Sequence, residues 1–372
     1  MVNRLKLILT LIFIIKLGNS CVSQNETNEL INDSIANAFR VKKNKIFIIG
    51  EFSNQSSNKF INYSILTALN KSGIYPRYLI SDFGNAKAFL INNYLITGLE
   101  CDLDNVSPIK SDRSFFLSLH KYRTTLPDSL KFYAKGVTFD NTITYTYLAL
   151  YELLKKIDFK KMNNLKYNFP KEVISDFLKT DELAATNNQM KRFVDDFYKD
   201  YLMDSTSFKN ILDYDYSAFK DIIFSYEKYL ILNKNNKKQR NEIEELTAEN
   251  IYKIIKEDST AVLFGQFGNY HIPLTFQKKW TYNSINSFVS ILNTNAKYNL
   301  TNNSIHSSII IYDYLPYNWY KFLFPEKNLF NMIKSSNSTN EIKLIPYPNN
   351  TGINSLILYN SKLQPINASF ER

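Results

Sequence analysis

A chain of 372 residues carrying a formal charge of +10 is long enough to bury its own core. Its two cysteines and three histidines are too few for a disulfide scaffold or a dedicated transition-metal site, so neither a metal nor another cofactor is expected. The lysines are dispersed among acidic residues, and the densest basic run, Lys234 to Arg240, reads as an exposed loop ahead of a helix; no nucleic-acid partner is expected.

The first residues read as a targeting segment. Arg4 and Lys6 precede an apolar run from Leu7 to Ile15, and Gly18, Asn19 and Ser20 lead into Cys21, the expected lipidation site. The run is shorter than the roughly 20 apolar residues of a membrane-spanning helix. The sequence thus divides into a signal peptide (1–21), a polar Asn-rich tether (22–40) and a domain (41–372) with a helical insertion at about 170–235. The expected location is the cell envelope, periplasmic or surface-exposed, with a lipid anchor in a membrane; without lipidation at Cys21 the protein is secreted. Removing Arg4, Lys6 and Lys16 with the signal lowers the charge to +7.

Within the domain, Lys45 to Ile49 (KIFII) is a β-branched run, and Ser56 to Lys71 carries Ile61, Ile65 and Leu69 at helical spacing before Gly73. The pattern repeats with a strand at Arg77 to Ile80 and a helix at Asn85 to Leu95, closed by Gly98. A third strand is predicted at Leu130 to Tyr133 and a helix at Asn141 to Lys156. After Pro170 the strand signal gives way to amphipathic segments at Val173 to Leu178, Met190 to Leu202 and Tyr216 to Leu232. A helix at Arg240 to Lys256 and strands at Ala261 to Phe264, Ser308 to Tyr312 and Ser355 to Tyr359 follow. Alternating strands and helices predict an α/β fold with a largely parallel sheet covered on both faces.

In such sheets, sites form beyond the carboxyl ends of the strands. The polar residues there are Glu51, Ser53 and Asn54 after the first strand, Asp82 after the second, Thr138 and Asp140 after the third, and Gln266, Asn269 and His271 after the fourth. Two carboxylates and an imidazole in this position can activate water, with His271 taking the proton and Glu51 or Asp82 orienting it. The same carboxylates can instead cap the helices that follow them. Asn250 shares a helical face with Ile243, Leu246, Thr247 and Ile254 and is expected to point inward, where its amide must be paired. His120 and His306 are expected at the surface. Zincin, zinc-ribbon, nucleophile-elbow, Walker and dinucleotide-binding motifs are missing from the sequence.

Several of these stretches resemble the erythromycin esterase-like branch of the Tiki/ChaN superfamily. They are Ile49-Gly50-Glu51, Tyr78 to Gly84 (YLISDFG), Asn93-Tyr94-Leu95 with Thr97-Gly98, Leu126-Pro127 before Lys131 to Val137, Thr247 to Asn250 (TAEN), and Phe264 to Ile272 (FGQFGNYHI). The resemblance covers roughly residues 42 to 320 and implies metal-independent ester hydrolysis by an activated water, with Glu51 and His271 matching family positions and Asp82 replacing a glutamate. The departures are Ser53 or Asn54 in place of a histidine, Gly268 in place of the first member of a histidine pair, and Thr138 in place of an aspartate. Arg240 also lies too far upstream of TAEN to match the family's arginine. Loss of a general base lowers rates by roughly 10² to 10⁴. The sequence therefore supports two functions: an exported hydrolase acting on an ester, or a catalytically lapsed lipoprotein binding haem or another small molecule in the same crevice.

Overall fold

The computed structural model describes residues 44–52, 55, 57–106, 110–157, 186–232, 237–272, 287–298, 305–312, 342–346 and 354–359, with residues 315, 318, 320, 330 and 331. The lipidation site Cys21, the tether, the amphipathic segment 173–178 and the candidate residues Ser53 and Asn54 lie outside the described residues.

The chain begins with β1 (Ile46–Glu51), α1 (Asn58–Lys71), β2 (Tyr78–Ser81), α2 (Asn85–Thr97), α3 (Glu100–Val106) and α4 (Lys110–Thr125). It continues with β3 (Tyr133–Gly136), α5 (Ile143–Leu154), α6 (Asn187–Met203), α7 (Ser205–Leu212), α8 (Tyr216–Leu232) and α9 (Lys237–Glu257). The last elements are β4 (Leu263–Gly268), a 3₁₀ turn (Asn269–His271), α10 (Phe288–Thr294), β5 (Ile305–Tyr312), β6 (Lys343–Pro346) and β7 (Ser355–Tyr359). Among these residues no helix is long and apolar enough to cross a membrane.

The strands form one seven-stranded α/β sheet in the order β3-β2-β4-β1-β5-β7-β6. Among the described residues six strands are parallel, and β6, at the edge, runs antiparallel against β7. The inner strands are apolar without alternation because both faces are covered: Ile46 to Ile49 and all eight residues of β5 are buried. Phe47, Ile48, Phe264, Ile309 and Ile310 form the centre of the core.

Helix ends follow local chemistry. Gly98, left-handed at φ 66°, closes α2 by donating its N–H to Tyr94 O. Thr186 and Gln189 form a reciprocal capping box at the start of α6, and Asp204 caps α7 through Ser207 N.

Three strands depart from their predicted bounds by three or more residues at one or both ends. The third strand begins at Tyr133 rather than Leu130, because Pro127 leads Asp128–Leu130 into a 3₁₀ turn. The fourth begins at Leu263 and runs on through Gly265, Gln266, Phe267 and Gly268. Gly265 belongs there for a packing reason: a Cβ on it would stand 2.7 Å from both Ile80 and Phe267 side chains. The fifth begins at Ile305, which places His306 within it.

The strand order has a functional consequence. From β1 the chain moves over β4 to β2, whereas from β4 it moves the other way, over β1, to β5. Adjacent strands β1 and β4 therefore send their connections to opposite sides, leaving a switch point beyond their carboxyl ends, where Glu51 pairs in register with Gly268.

Candidate active site at the switch point

Side chains alternate along β4, so Gln266 and Phe267 project to opposite faces. Gln266 reaches α1: Asn62 Nδ2 donates to its Oε1, and its Nε2 donates to Asn58 O at 3.0 Å. Phe267 reaches α10, its ring 4.8 Å from that of Phe288. The two candidate groups at the switch point separate in the same way.

Glu51 lies on the α1 face. It is partly exposed and within hydrogen-bonding interaction of Gln266 and Asn58. Asn58 is itself fixed, donating to Phe52 O at 2.8 Å and accepting from Tyr312 Oη. Burial pushes the Glu51 carboxyl up to about 7. The Lys59 ammonium and the bonds from Gln266 and Asn58 pull it down, while the negative charge of Asp82 raises it further. Lys59, in the first turn of α1, is held down at about 8 by burial and by Lys87, against the favourable charge of Glu51. The structure thus gathers Glu51, Asp82 and Gln266 into one charged cluster, and adds Lys59 and Lys87.

His271 lies elsewhere. It is 5% exposed, with its ring centroid 6.0 Å from that of Phe267 and 5.9 Å from that of Phe288. Its Nδ1 is 2.6 Å from Oε1 of Glu244, a buried carboxylate of α9 whose Oε2 accepts from Phe288 N at 2.7 Å. The carboxylate that orients this imidazole is therefore Glu244, not Glu51 or Asp82. The physical cause is strand parity: the turn carrying His271 continues from the Phe267 face of β4, onto which α9 and α10 close. Asn269 packs in the same turn, its Cα 3.2 Å from where a Cβ on Gly50 would stand, so Gly50 is the residue that lets the turn seat on β1.

The remaining candidates have structural partners. Asn250 is buried and donates to Val137 O at 3.0 Å, tying α9 to the end of β3. Helix α2 is capped by Asp140, not by Asp82: the buried Asp140 carboxylate accepts from Gly84, Ala86 and Lys87 N–H groups and from Ser225 Oγ. Burial raises the pKa of Asp140 against the lowering effect of these four bonds. Of the two histidines expected at the surface, one is inside and the other half-buried. His306 is 3% exposed, with Nε2 3.0 Å from Ser355 Oγ, because β5 starts earlier than predicted. His120 is half-buried, with Nδ1 3.1 Å from Leu95 O and its ring packed over Gly98.

The sequence reading missed Asn58, Lys59 and Glu244. Glu244 left a signal, since it lies on the buried stripe of α9 with Ala248 and Ile251, where an acid requires a partner. Among the described residues no three His, Cys, Asp or Glu side chains converge as metal ligands would. A separate cleft of about 640 Å³ opens among α8, α9 and α10, lined by Lys228, Glu245, Leu246, Glu249, Ile291 and Tyr298, and shares no residue with the Glu51 cluster.

No protein-family model matches the chain, and no curated protein matches its sequence. Three solved structures are similar to it. A Bacillus cereus protein has a TM-score of 0.44 at 12% identity, covering 76% of this chain and 75% of its own. A histidine-to-asparagine mutant of the erythromycin esterase EreC, in its open conformation, has 0.45 at 12%, covering 72% and 70%. A succinoglycan biosynthesis protein has 0.49 at 10%, covering 77% and 76%.

Proposed function

We propose that this chain is an exported lipoprotein, anchored through Cys21, whose α/β domain hydrolyses an ester with water activated by Glu51. The supporting observation is the placement of Glu51: a carboxylate at the sheet's switch point, held by Gln266 and Asn58 and flanked by Asp82. The reaction class follows the erythromycin esterase-like resemblance of the motifs around Glu51 and Asp82.

Ionised Glu51 accepts a proton from water as the water oxygen bonds to the ester carbonyl carbon. The protonated carboxyl then gives that proton to the departing alkoxide as the C–O bond breaks, leaving acid and alcohol. A carboxyl near 7 suits both steps, because its two protonation states are close in energy at neutral pH. Asp82 contributes a charge that keeps Glu51 basic. His271 and Glu244 act as positioning residues for the Asn269–His271 turn, since burial among Phe267 and Phe288 keeps the imidazole away from water.

The test is turnover of a panel of 4-methylumbelliferyl esters by the detergent-purified protein. Turnover is expected, rising with pH through about 7, and Glu51→Gln lowers kcat at least 100-fold without unfolding the protein. Lipidation is tested by mass spectrometry of Cys21, where Cys21→Ala should abolish the acyl adduct and release the protein from membranes.

A second reading, a lapsed ligand-binding lipoprotein, is favoured by the sequestration of the one matching histidine behind aromatic rings. No turnover of any ester, together with saturable small-molecule binding, decides for it.

A further inference from the structure

The cleft among α8, α9 and α10 is separate from the Glu51 cluster, and helix periodicity sets its lining. On α9 the buried stripe carries Glu244, Ala248 and Ile251, which leaves Glu242, Glu245 and Glu249 on a second stripe that borders the cleft. Leu246, Leu232 of α8 and Ile291 of α10 are buried and also line it, giving it an apolar floor. The turn after α10 adds Lys297 and Tyr298. Asn295 holds that turn, its Oδ1 accepting from Lys297 N and its carbonyl from Tyr298 N, each at 3.0 Å. The Tyr298 ring then packs 5.1 Å from that of Tyr252 on α9.

The polar groups of this lining are not all satisfied. Tyr298 is 4% exposed, yet among the described residues its hydroxyl meets no hydrogen-bonding group, which a buried tyrosine ordinarily requires. Glu249 pairs with Lys253 at 3.6 Å and Lys297 at 4.0 Å, and the Lys228 ammonium lies 5.0 Å from the centre of the Phe224 ring. Glu242 and Glu245 meet no cation among the described residues. Three glutamates against two lysines leave the cleft with a surplus of negative charge, in a chain whose formal charge is +10. A volume of about 640 Å³ with an apolar floor and a few polar groups suits a small molecule.

We infer that this cleft binds a small primary amine carried on an apolar body, an alkylamine or arylalkylamine. The ammonium supplies a counter-charge for Glu242 and Glu245 and a hydrogen-bond donor for the Tyr298 hydroxyl, and the body covers Leu232, Leu246 and Ile291. The site stands independently of the proposed ester hydrolysis.

The experiment titrates full-length protein, in non-ionic detergent at neutral pH, with 2-phenylethylamine, with 2-phenylethanol, which lacks the charge, and with methylamine, which lacks the apolar body. Calorimetry against a detergent blank is expected to show saturable binding of 2-phenylethylamine, about tenfold or more tighter than that of either other probe. Glu242→Gln/Glu245→Gln should weaken it about tenfold, and Glu242→Asp/Glu245→Asp, which keeps both charges, should retain most of it. Glu242 is half-buried and Glu245 exposed, so both double variants should keep the wild-type urea midpoint. Tyr298→Phe should weaken binding by a smaller factor, and Glu51→Gln should leave it unchanged. Failure of 2-phenylethylamine to bind, an equal affinity for either other probe, or an affinity unchanged in the double Gln variant overturns the inference. Loss of binding in Glu51→Gln moves the amine to the switch point and overturns it too. Tighter binding of Nα-acetyl-lysine methylamide than of 2-phenylethylamine assigns the cleft to a lysine side chain of a partner protein, against the small-molecule reading.

Discussion

Two carboxylates flank the same switch point and live in opposite conditions. Glu51 projects to the α1 face among amides, lysines and a second acid. Glu244 projects from α9 into the other face, where one oxygen meets His271 and the other caps the start of α10 beneath aromatic rings. Each group's surroundings suit a different task. A carboxylate in a polar, partly wet cluster can exchange protons with a substrate, whereas one closed into a dry pocket against an imidazole and a backbone N–H fixes geometry.

The two environments predict opposite losses on mutation. Glu51→Gln should cost at least 100-fold in kcat with little loss of fold. His271→Ala and Glu244→Ala should instead cost roughly 3 kcal/mol of stability, because each leaves a buried partner uncompensated, with kcat per folded molecule changed only a few-fold. Denaturant titration and kinetics on the same preparations read both quantities. Wild-type stability paired with lost turnover in His271→Ala would make the imidazole the base and erase the division of tasks between Glu51 and the Glu244–His271 pair.

A smaller effect sharpens the same contrast through pH. The folded-state pKa of Glu51 lies above its unfolded value, so between about 4.5 and about 7 the native state binds more protons than the unfolded chain. Stability therefore falls as pH rises across that window, by up to roughly 3 kcal/mol for a shift of this size. Glu51→Gln should flatten this part of the stability-against-pH curve measured by urea unfolding. An unchanged slope in the variant would place the proton uptake elsewhere. The smallest expected effect lies at alkaline pH: burial and the Lys87 charge hold Lys59 at about 8, so between about 8 and about 10.5 the native state binds fewer protons than the unfolded chain, and the modest rise in stability with pH expected there should disappear from the urea-unfolding curve of Lys59→Met.

Much of the sheet was legible in the sequence, for a local reason. Ile46 to Ile49 and Ile309 to Ile311 are apolar runs too short for helices, and Gly98 marks the end of α2 by its left-handed backbone. The edge strand β6 was not legible, since four residues ending in Pro346 carry little pattern. Nothing local distinguishes Lys59 from the other lysines of the chain, so its burial beside Glu51 is visible only in the fold.

The sequence by itself determined which residues stand near the carboxyl ends of strands, and so placed Glu51, Asp82, Gln266 and His271 at one edge of an α/β sheet, although Glu51 and Gln266 lie within their strands rather than past them. Tertiary structure alone decided their company. Inserting β4 between β1 and β2 puts Gln266 beside Glu51 across a separation of more than 200 residues, and the alternation along β4 turns Phe267 and the His271 turn to the opposite face. Local periodicity fixes which neighbours along a strand share a face, but it carries no information about which helix will cover that face.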